Sequence, residues 1–321
     1  MPEIGVSLCM TVKNEAHVLD RLAADLRAQT VKPDEIVVTD GGSTDGTVER
    51  LREVLGEFEE VRVIAMPGAN IAAGRNRAIA EARGEVVLVA DAGLRLPPRW
   101  VEGLSAAVRE EGVDVAFGYV LSEPENDFEF ALAAVTRPLK EEIDSGTYPV
   151  SGGCAGFRAE LFTRYQYPEW LDYGEDMHLY LRWRRDGVGM VHVAAADAGF
   201  RPRPDVGAFF RQYFNYARGD GEAGMWGARH GLRAGAYAVL VVAVGNALLG
   251  SSWRLGPILL GGLLGLAYLR RPWRRLLATT PGWGARRRAR AVGWLTVIRL
   301  VGDMAKLSGY VYGRMRRGGG R

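Results

Sequence analysis

The first hundred residues alternate short, uninterrupted apolar runs with stretches of helical periodicity. Apolar runs fall at 6–10, 35–39 (EIVVT), 61–65 and 85–90 (EVVLVA). Between them, residues 16–29 place Val18, Leu19, Leu22, Ala23 and Leu26 at helical spacing, and 44–55 and 72–82 read as helices. Continuous apolar strands separated by amphipathic helices predict an α/β fold, a mostly parallel sheet flanked by helices. Ligands of such sheets bind beyond the C-terminal ends of the strands, which directs attention to 11–15, 40–47 and 91–97. Residues 98–225 are more mixed, with a helix predicted near 99–110, a strand at 113–119 and a helix at 175–185.

The pattern then changes. Residues 234–252 carry no charge over nineteen positions, and 255–269 none over fifteen more, with only Trp253 and Arg254 between them. Arg270, Arg271, Arg274 and Arg275 follow. About 20 helical residues cross a bilayer, and basic flanks on both sides suit a hairpin whose two ends share the cytoplasmic face. The expectation is a transmembrane or re-entrant hairpin, with a buried hairpin as the alternative. Beyond it, Trp294, Val297, Ile298, Val301, Met304, Ala305 and Leu307 recur at helical spacing opposite Arg299, Asp303 and Lys306. Such a helix either lies at a membrane interface with its cations toward headgroups or packs on the body. The chain thus divides into an α/β domain over 1–228, a hydrophobic hairpin over 229–275 and a basic amphipathic region over 276–321.

Composition excludes a disordered chain, since 48% of the 321 residues are apolar and 25% charged. The net charge of +3 hides an asymmetry. Residues 251–321 hold fifteen basic side chains and one acid, Asp303, a net of +14, and the remainder carries −11. Most of the tail's arginines flank uncharged runs rather than interleaving with aromatics, which favours an anionic membrane over nucleic acid as the partner. Cys9 and Cys154 are too few for a disulfide framework. No basic stretch, apolar run and cleavage site open the chain, so the expectation is a catalytic body on the cytoplasmic side of the cell inner membrane or plasma membrane.

Several segments carry candidate chemistry. The run Asp40-Gly41-Gly42-Ser43-Thr44-Asp45-Gly46-Thr47 follows a strand and opens a helix. An Asp there can accept hydrogen bonds from a ribose or base, although a capped turn explains the same residues. Arg75 in GRNRA can pair bidentately with a diphosphate. Asp91, directly after the fourth apolar run, can hold a divalent cation. Glu175 and Asp176 begin a predicted helix, where acids serve as a general base or simply favour the helix dipole. A G-x-G-x-x-G after the first strand and a G-x-x-x-x-G-K-[ST] are both absent, so dinucleotide and P-loop readings lack their phosphate-binding element.

In their order, VSLCMTVKNE (6–15), VVTDGGSTDGT (37–47), GRNRA (74–78), GEVVLVAD (84–91), Pro97 and the 174–176 acids resemble family-2 glycosyltransferases of the GT-A (Rossmann-like) fold over roughly residues 4–220. The resemblance implies inverting transfer of a sugar from a nucleotide-diphosphate sugar donor to an acceptor hydroxyl. It assigns Thr11, Lys13, Asn14, Glu15, Asp40, Gly74, Arg75 and Asp91 to the donor, Asp176 to the catalytic base and Glu175 to orienting it. Asp91 takes the first position of the family's D-x-D metal motif. The second acid is Gly93, so Mg²⁺ or Mn²⁺ has one protein carboxylate, or Arg75 and the basic residues near 211–218 replace it. His192 reads as structural. For the acceptor, a lipid-linked or cell-envelope glycan, the candidates are Gly152 and Gly153, Trp170, and Arg211, Gln212, Tyr216 and Arg218 in a partial match to a Q/R-x-x-R-W-like motif. Two alternatives remain, a sugar-1-phosphate nucleotidylyltransferase and a catalytically degenerate membrane scaffold.

Overall fold

In the computed structural model, which describes residues 5–144, 146–248 and 255–319, the apolar runs form strands as the pattern predicts. They are β1 Val6–Val12, β2 Glu35–Asp40, β3 Val61–Ala65 and β4 Val86–Ala90, joined by helices α1 Leu19–Arg27, α2 Thr47–Leu55 and α3 Ile71–Glu81. There follow β5 Leu94–Arg95, α4 Trp100–Val108, β6 Val115–Phe117, β7 Val120–Ser122, α5 Asp127–Thr136, β8 Cys154–Arg158, α6 Leu161–Arg164, α7 Glu175–Asp186, β9 Met190–His192 and β10 Ala198–Phe200. Beyond these, the described residues form α8 Val206–Ala223, α9 Gly227–Leu248, α10 Leu255–Thr279 and α11 Ala285–Gly319.

Compactness divides the chain into Met1–Glu123 with Ile143–Arg201, and Pro124–Glu142 with Pro202–Arg321. The first unit holds a seven-stranded sheet in the order β3-β2-β1-β4-β8-β6-β9. β1 pairs in parallel with both β2 and β4, while β8 runs antiparallel to β4 and β6. Successive residues of one strand serve opposite faces. Leu8, Met10, Ile36 and Val38 therefore enter one apolar layer, and Cys9, Val37, Val87 and Val89 the other. Chain order reverses between β1 and β4, the position where open α/β sheets leave a crevice at their strand ends.

The second unit is helical. Phe128, Phe209, Leu276, Ala291, Leu295 and Ile298 form its core. α8 and α11 approach closely because glycines face backbone: a methyl group added at Gly309 would lie 2.2 Å from the Phe214 carbonyl oxygen, and one at Gly313 2.1 Å from that of Arg218.

One expectation about this region is corrected, and one pair of alternatives is decided. Among the described residues no helix is long and apolar enough to cross a membrane. The reason is local: α9 begins with Arg229, His230 and Arg233, and α10 carries Arg270, Arg271, Arg274 and Arg275 within its own length. Positions 249–252 of the uncharged run, with Trp253 and Arg254, lie outside the described residues. α11 follows the second of its two alternatives and packs on its neighbours: Ile298 and Ala305 are buried, and Asp303 with them, while Val297 and Met304 are exposed.

Candidate functional site

The loops after β1 and β2 are tied to each other. Asn14 N donates to Ser43 Oγ (2.9 Å), Thr44 N to Asn14 Oδ1 (2.9 Å), Glu15 N to Thr47 Oγ1 (2.9 Å) and Ala16 N to Asp45 Oδ2 (3.2 Å). Asn14 has φ 57°, a left-handed conformation that Asn tolerates better than most residues. The buried Asp40 carboxylate accepts from Gly42 N (3.0 Å), Ser43 N (3.0 Å) and Ser43 Oγ. Asp40 therefore shapes the loop from inside, and the loop's own donors occupy its oxygens. Lys13 is exposed beside Gly41.

α3 carries the next group of residues. Its N-cap is Asn70, whose Oδ1 accepts from Ala73 N (2.9 Å). Gly74 lets the helix settle on the sheet: an added methyl would lie 2.2 Å from Thr11 Oγ1, and Thr39 Oγ1 donates to the Gly74 carbonyl (3.0 Å). This close seat delivers Arg75, itself buried, to the β1–β4 crevice. Arg75 Nη2 pairs with Asp91 Oδ1 and Nη1 with Glu175 Oε1, both at 2.7 Å. Its guanidinium lies 5.3 Å from the centre of the Tyr167 ring.

The two acids of 175–176 occupy different environments. Glu175 is buried; burial, then the neighbouring Asp176 charge, push its carboxyl up to about 7, against the pull of Arg75. Asp176 is half-buried at the start of α7. Gly152 N donates to its Oδ2 (3.2 Å) and Met177 N to its Oδ1 (2.7 Å). Gly152 and Gly153 are required as close approaches. A methyl group at Gly152 would lie 2.7 Å from both Arg75 Nη1 and Asp176 Cβ, and one at Gly153 2.2 Å from the Asp91 carboxylate. The structure thus places this glycine pair behind Arg75, Asp91 and Asp176.

Thr11, Gly74, Arg75, Asp91, Gly152, Gly153, Glu175 and Asp176 therefore meet at one end of the sheet, with Lys13, Asn14, Glu15 and Asp40 in the adjoining loops. Trp170 is exposed and edge-on to His178, ring centres 5.7 Å apart. Its loop is fastened to α3 by Asn76, which donates to the Tyr167 carbonyl (2.9 Å) and accepts from Tyr167 N (3.0 Å). Arg211, Gln212, Tyr216 and Arg218 sit on α8 of the helical unit. There Gln212 donates to the Tyr216 hydroxyl (3.0 Å), and Arg218 pairs with Glu222 (2.9 Å). His192 stacks on Tyr119, centres 3.6 Å apart, and bonds Asp197 at 2.7 Å, as a structural histidine would. Tyr167 and Asn76 are additional site residues; Asn76 lies within GRNRA, whose functional reading rests on Arg75, and no spacing marks Tyr167.

The donor set was tested against a divalent cation. Among the described residues no group of three His, Cys, Asp or Glu side chains gathers as a metal site. Asp91 is about half exposed, one oxygen is committed to Arg75, and position 93 supplies no ligand. The protein's share is one carboxylate oxygen, which suits a cation carried in by a diphosphate rather than a resident ion.

The comparisons with known proteins agree with this architecture. The Glycosyl transferase family 2 profile matches residues 7–165. Cholesterol galactosyltransferase of Borreliella burgdorferi is 26% identical over 160 residues, 50% of this chain and 42% of that protein. Succinoglycan biosynthesis protein ExoA of Rhizobium meliloti is 28% identical over 217 residues, 64% of this chain and 66% of that protein. The chain spans less than two thirds of the length of either relative. Among solved structures, the mannosyltransferase PcManGT from Pyrobaculum calidifontis, in complex with GDP-Man and Mn²⁺, superposes with a TM-score of 0.53. It is 17% identical, and the match covers 97% of this chain and 86% of that one, a likeness of fold. Strand order, the β1–β4 crevice and the matched profile lead to one conclusion: the chain carries a Glycosyl transferase family 2 domain on a GT-A fold.

Proposed function

We propose that this chain transfers a sugar from a nucleotide-diphosphate donor to an acceptor hydroxyl in one inverting displacement. The observation that carries the reading is the division between Glu175 and Asp176. Glu175 is buried and held by Arg75, while Asp176 is half-buried with its carboxylate aimed by Gly152 N. In the step proposed, Asp176 takes the acceptor's O–H proton and the acceptor oxygen bonds to the anomeric carbon. The bond from that carbon to the donor phosphate oxygen breaks, and the nucleoside diphosphate leaves with the electron pair. Charge gathers on the diphosphate, and preorganised cations stabilise it; Arg75 and Lys13 are cations at the strand ends, and Arg21, which donates to the Gly93 carbonyl (3.1 Å), is a third. Asp91 is the residue to hold Mg²⁺ or Mn²⁺ brought with the donor, where it would offset charge on the phosphate oxygens.

The proposed acceptor is a lipid-linked or cell-envelope glycan at the cytoplasmic face of an anionic membrane. The basic tail and the exposed apolar residues of α9 support this, as do the names of the relatives, one a cholesterol galactosyltransferase and one a succinoglycan biosynthesis protein. The test of the catalytic assignment is Asp176→Asn, with donor binding followed by calorimetry. A general base contributes about 10²–10⁴-fold, so kcat should fall by that factor while donor affinity stays. Turnover close to wild type removes Asp176 from the role, and donor binding without any turnover across acceptors by the unaltered chain removes the transferase reading.

A further inference from the structure

The helical unit contains a cluster of charge with too few acids. Arg299, Asp303, Lys306 and Tyr310 recur every three or four residues on α11 and so share one face. Asp303 is buried and accepts from Arg233 Nε (2.8 Å), the Tyr237 hydroxyl (3.1 Å) and the Tyr268 hydroxyl (2.6 Å). His230 bonds Asp220 (3.0 Å) and stacks on Tyr310, ring centres 4.1 Å apart. Both acids are therefore committed.

Two cations are left over. Arg299 lies 4.4 Å over the Tyr268 ring, and its Nε is buried with no hydrogen-bond partner. Lys306 Nζ lies 4.8 Å from the centre of the Tyr213 ring. Among the described residues neither has a carboxylate within ion-pair distance. Burial first, then Arg233, push the Lys306 ammonium down to about 8; Asp303 pulls the other way, and Arg229 and Arg299 add to the depression. Removing a charge from water without a counterion is unfavourable, and a phosphate oxygen suits both an arginine fork and a lysine point charge. Leu232 and Leu240 are exposed on α9, the helix that brings Arg233 and Tyr237 to Asp303.

We propose that Arg299 and Lys306 form a seat for the phosphate headgroup of an anionic lipid, whose chains lie against the exposed apolar residues of α9. This rests on the membrane-facing reading above and narrows it from diffuse attraction to one site. The exposed apolar residues select a lipid over a free phosphate, which would have no use for them.

The test is flotation of the full chain with vesicles of phosphatidylcholine alone or mixed with phosphatidic acid. The R299Q/K306Q variant is compared with R270Q/R271Q, which removes the same charge from exposed positions of α10. Binding to the phosphatidic acid vesicles should weaken about tenfold or more in R299Q/K306Q and far less in R270Q/R271Q. Equal weakening in both overturns the site while leaving membrane attraction standing. No binding of the wild type to anionic vesicles overturns the membrane reading itself. Inorganic phosphate that competes as well as a short-chain phosphatidic acid overturns the lipid identity. Melting of the lipid-free variants separates binding from folding. R299Q/K306Q should melt no lower than the wild type, because it removes charges that lack partners, and a lower melting temperature overturns the proposal by making the cluster structural.

Discussion

The two units treat buried charge in opposite ways. In the α/β unit the deeply buried charges are matched, Asp40 by neutral donors of its own loop and Glu35 and Arg75 by opposite charges. Glu35 is fully buried and receives Ser7 Oγ, Arg62 and Arg83, and Arg75 lies between Asp91 and Glu175. In the helical unit Asp303 is matched, but Arg299 and Lys306 rest on aromatic rings. Self-contained charge networks fix a geometry, as a site that must hold donor and base in register requires. Unmatched cations instead leave free energy to be gained by binding an anion.

The sharpest way to break this contrast is to delete one cation from each unit, since the effects should have opposite sign. Arg75→Met leaves Glu175 buried without its partner, and breaking a buried pair costs about 3–5 kcal/mol. The loss should shrink as pH falls, because protonated Glu175 no longer needs the guanidinium. Urea unfolding at neutral and mildly acidic pH checks both size and direction, and an unchanged midpoint would mean the network contributes nothing to stability.

Lys306→Met should stabilise. The folded-state value of about 8 lies below the ordinary lysine value of 10.5. The ammonium's penalty is therefore complete below about 8 and vanishes as pH rises past 10.5. By linkage that gap corresponds to at most about 3 kcal/mol. Glu175 has the opposite sign. Its value is raised to about 7 from 4.5, so its penalty is absent at low pH and complete above about 7. Melting curves from pH 6 to 9 should show the advantage of Lys306→Met shrinking toward the alkaline end. A constant advantage would tie it to packing instead.

A smaller effect compares packing. Gly309→Ala on α11 forces a methyl group against the α8 backbone and should destabilise by about 1–3 kcal/mol. That would mark the α8–α11 contact as a rigid seam; a neutral result by chemical denaturation would show that the two helices separate easily.

These contrasts also explain what could be read from sequence. The strand at 61–65 appears at the predicted bounds although it is a half-buried edge strand, because its β-branched residues Val61, Val63 and Ile64 are a signal in themselves. The helix predicted from 44 begins at Thr47, because Gly46 takes φ 88° and Asp45 is engaged with Thr47. Motif order named residues that the fold brings to one end of the sheet, yet the ion pairs of Arg75 were hidden. Its partners Asp91 and Glu175 are 16 and 100 residues away, and nothing local distinguishes an arginine that meets a phosphate from one that meets two carboxylates. The helical region misled for the same reason. A stripe of Arg299, Asp303 and Lys306 reads as outward-facing until Arg233, Tyr237 and Tyr268 are known to cover Asp303, and all three belong to other helices. Apolar runs of fifteen to nineteen residues are equally compatible with a lipid and a helical neighbour.

The smallest structural effect belongs to the position where the chain departs from the family's metal motif. A methyl group added at Gly93 meets nothing within 4 Å, and its φ is not in the left-handed region. Gly93→Asp should therefore change stability by no more than about 0.5 kcal/mol. The glycine is not there for want of room. One oxygen of Asp91 already serves Arg75, and a second carboxylate two residues on would give a cation a second protein ligand. Mn²⁺ binding by calorimetry, without donor, should then tighten about tenfold or more, a gain of at least ~1.4 kcal/mol. If the added carboxylate leaves Mn²⁺ affinity where it was, the loop after β4 is not a cation site, and charge on the departing diphosphate falls to Arg75, Lys13 and Arg21. If affinity rises while the wild type keeps its turnover in excess EDTA, this chain has already transferred the work of the ion to its own guanidinium.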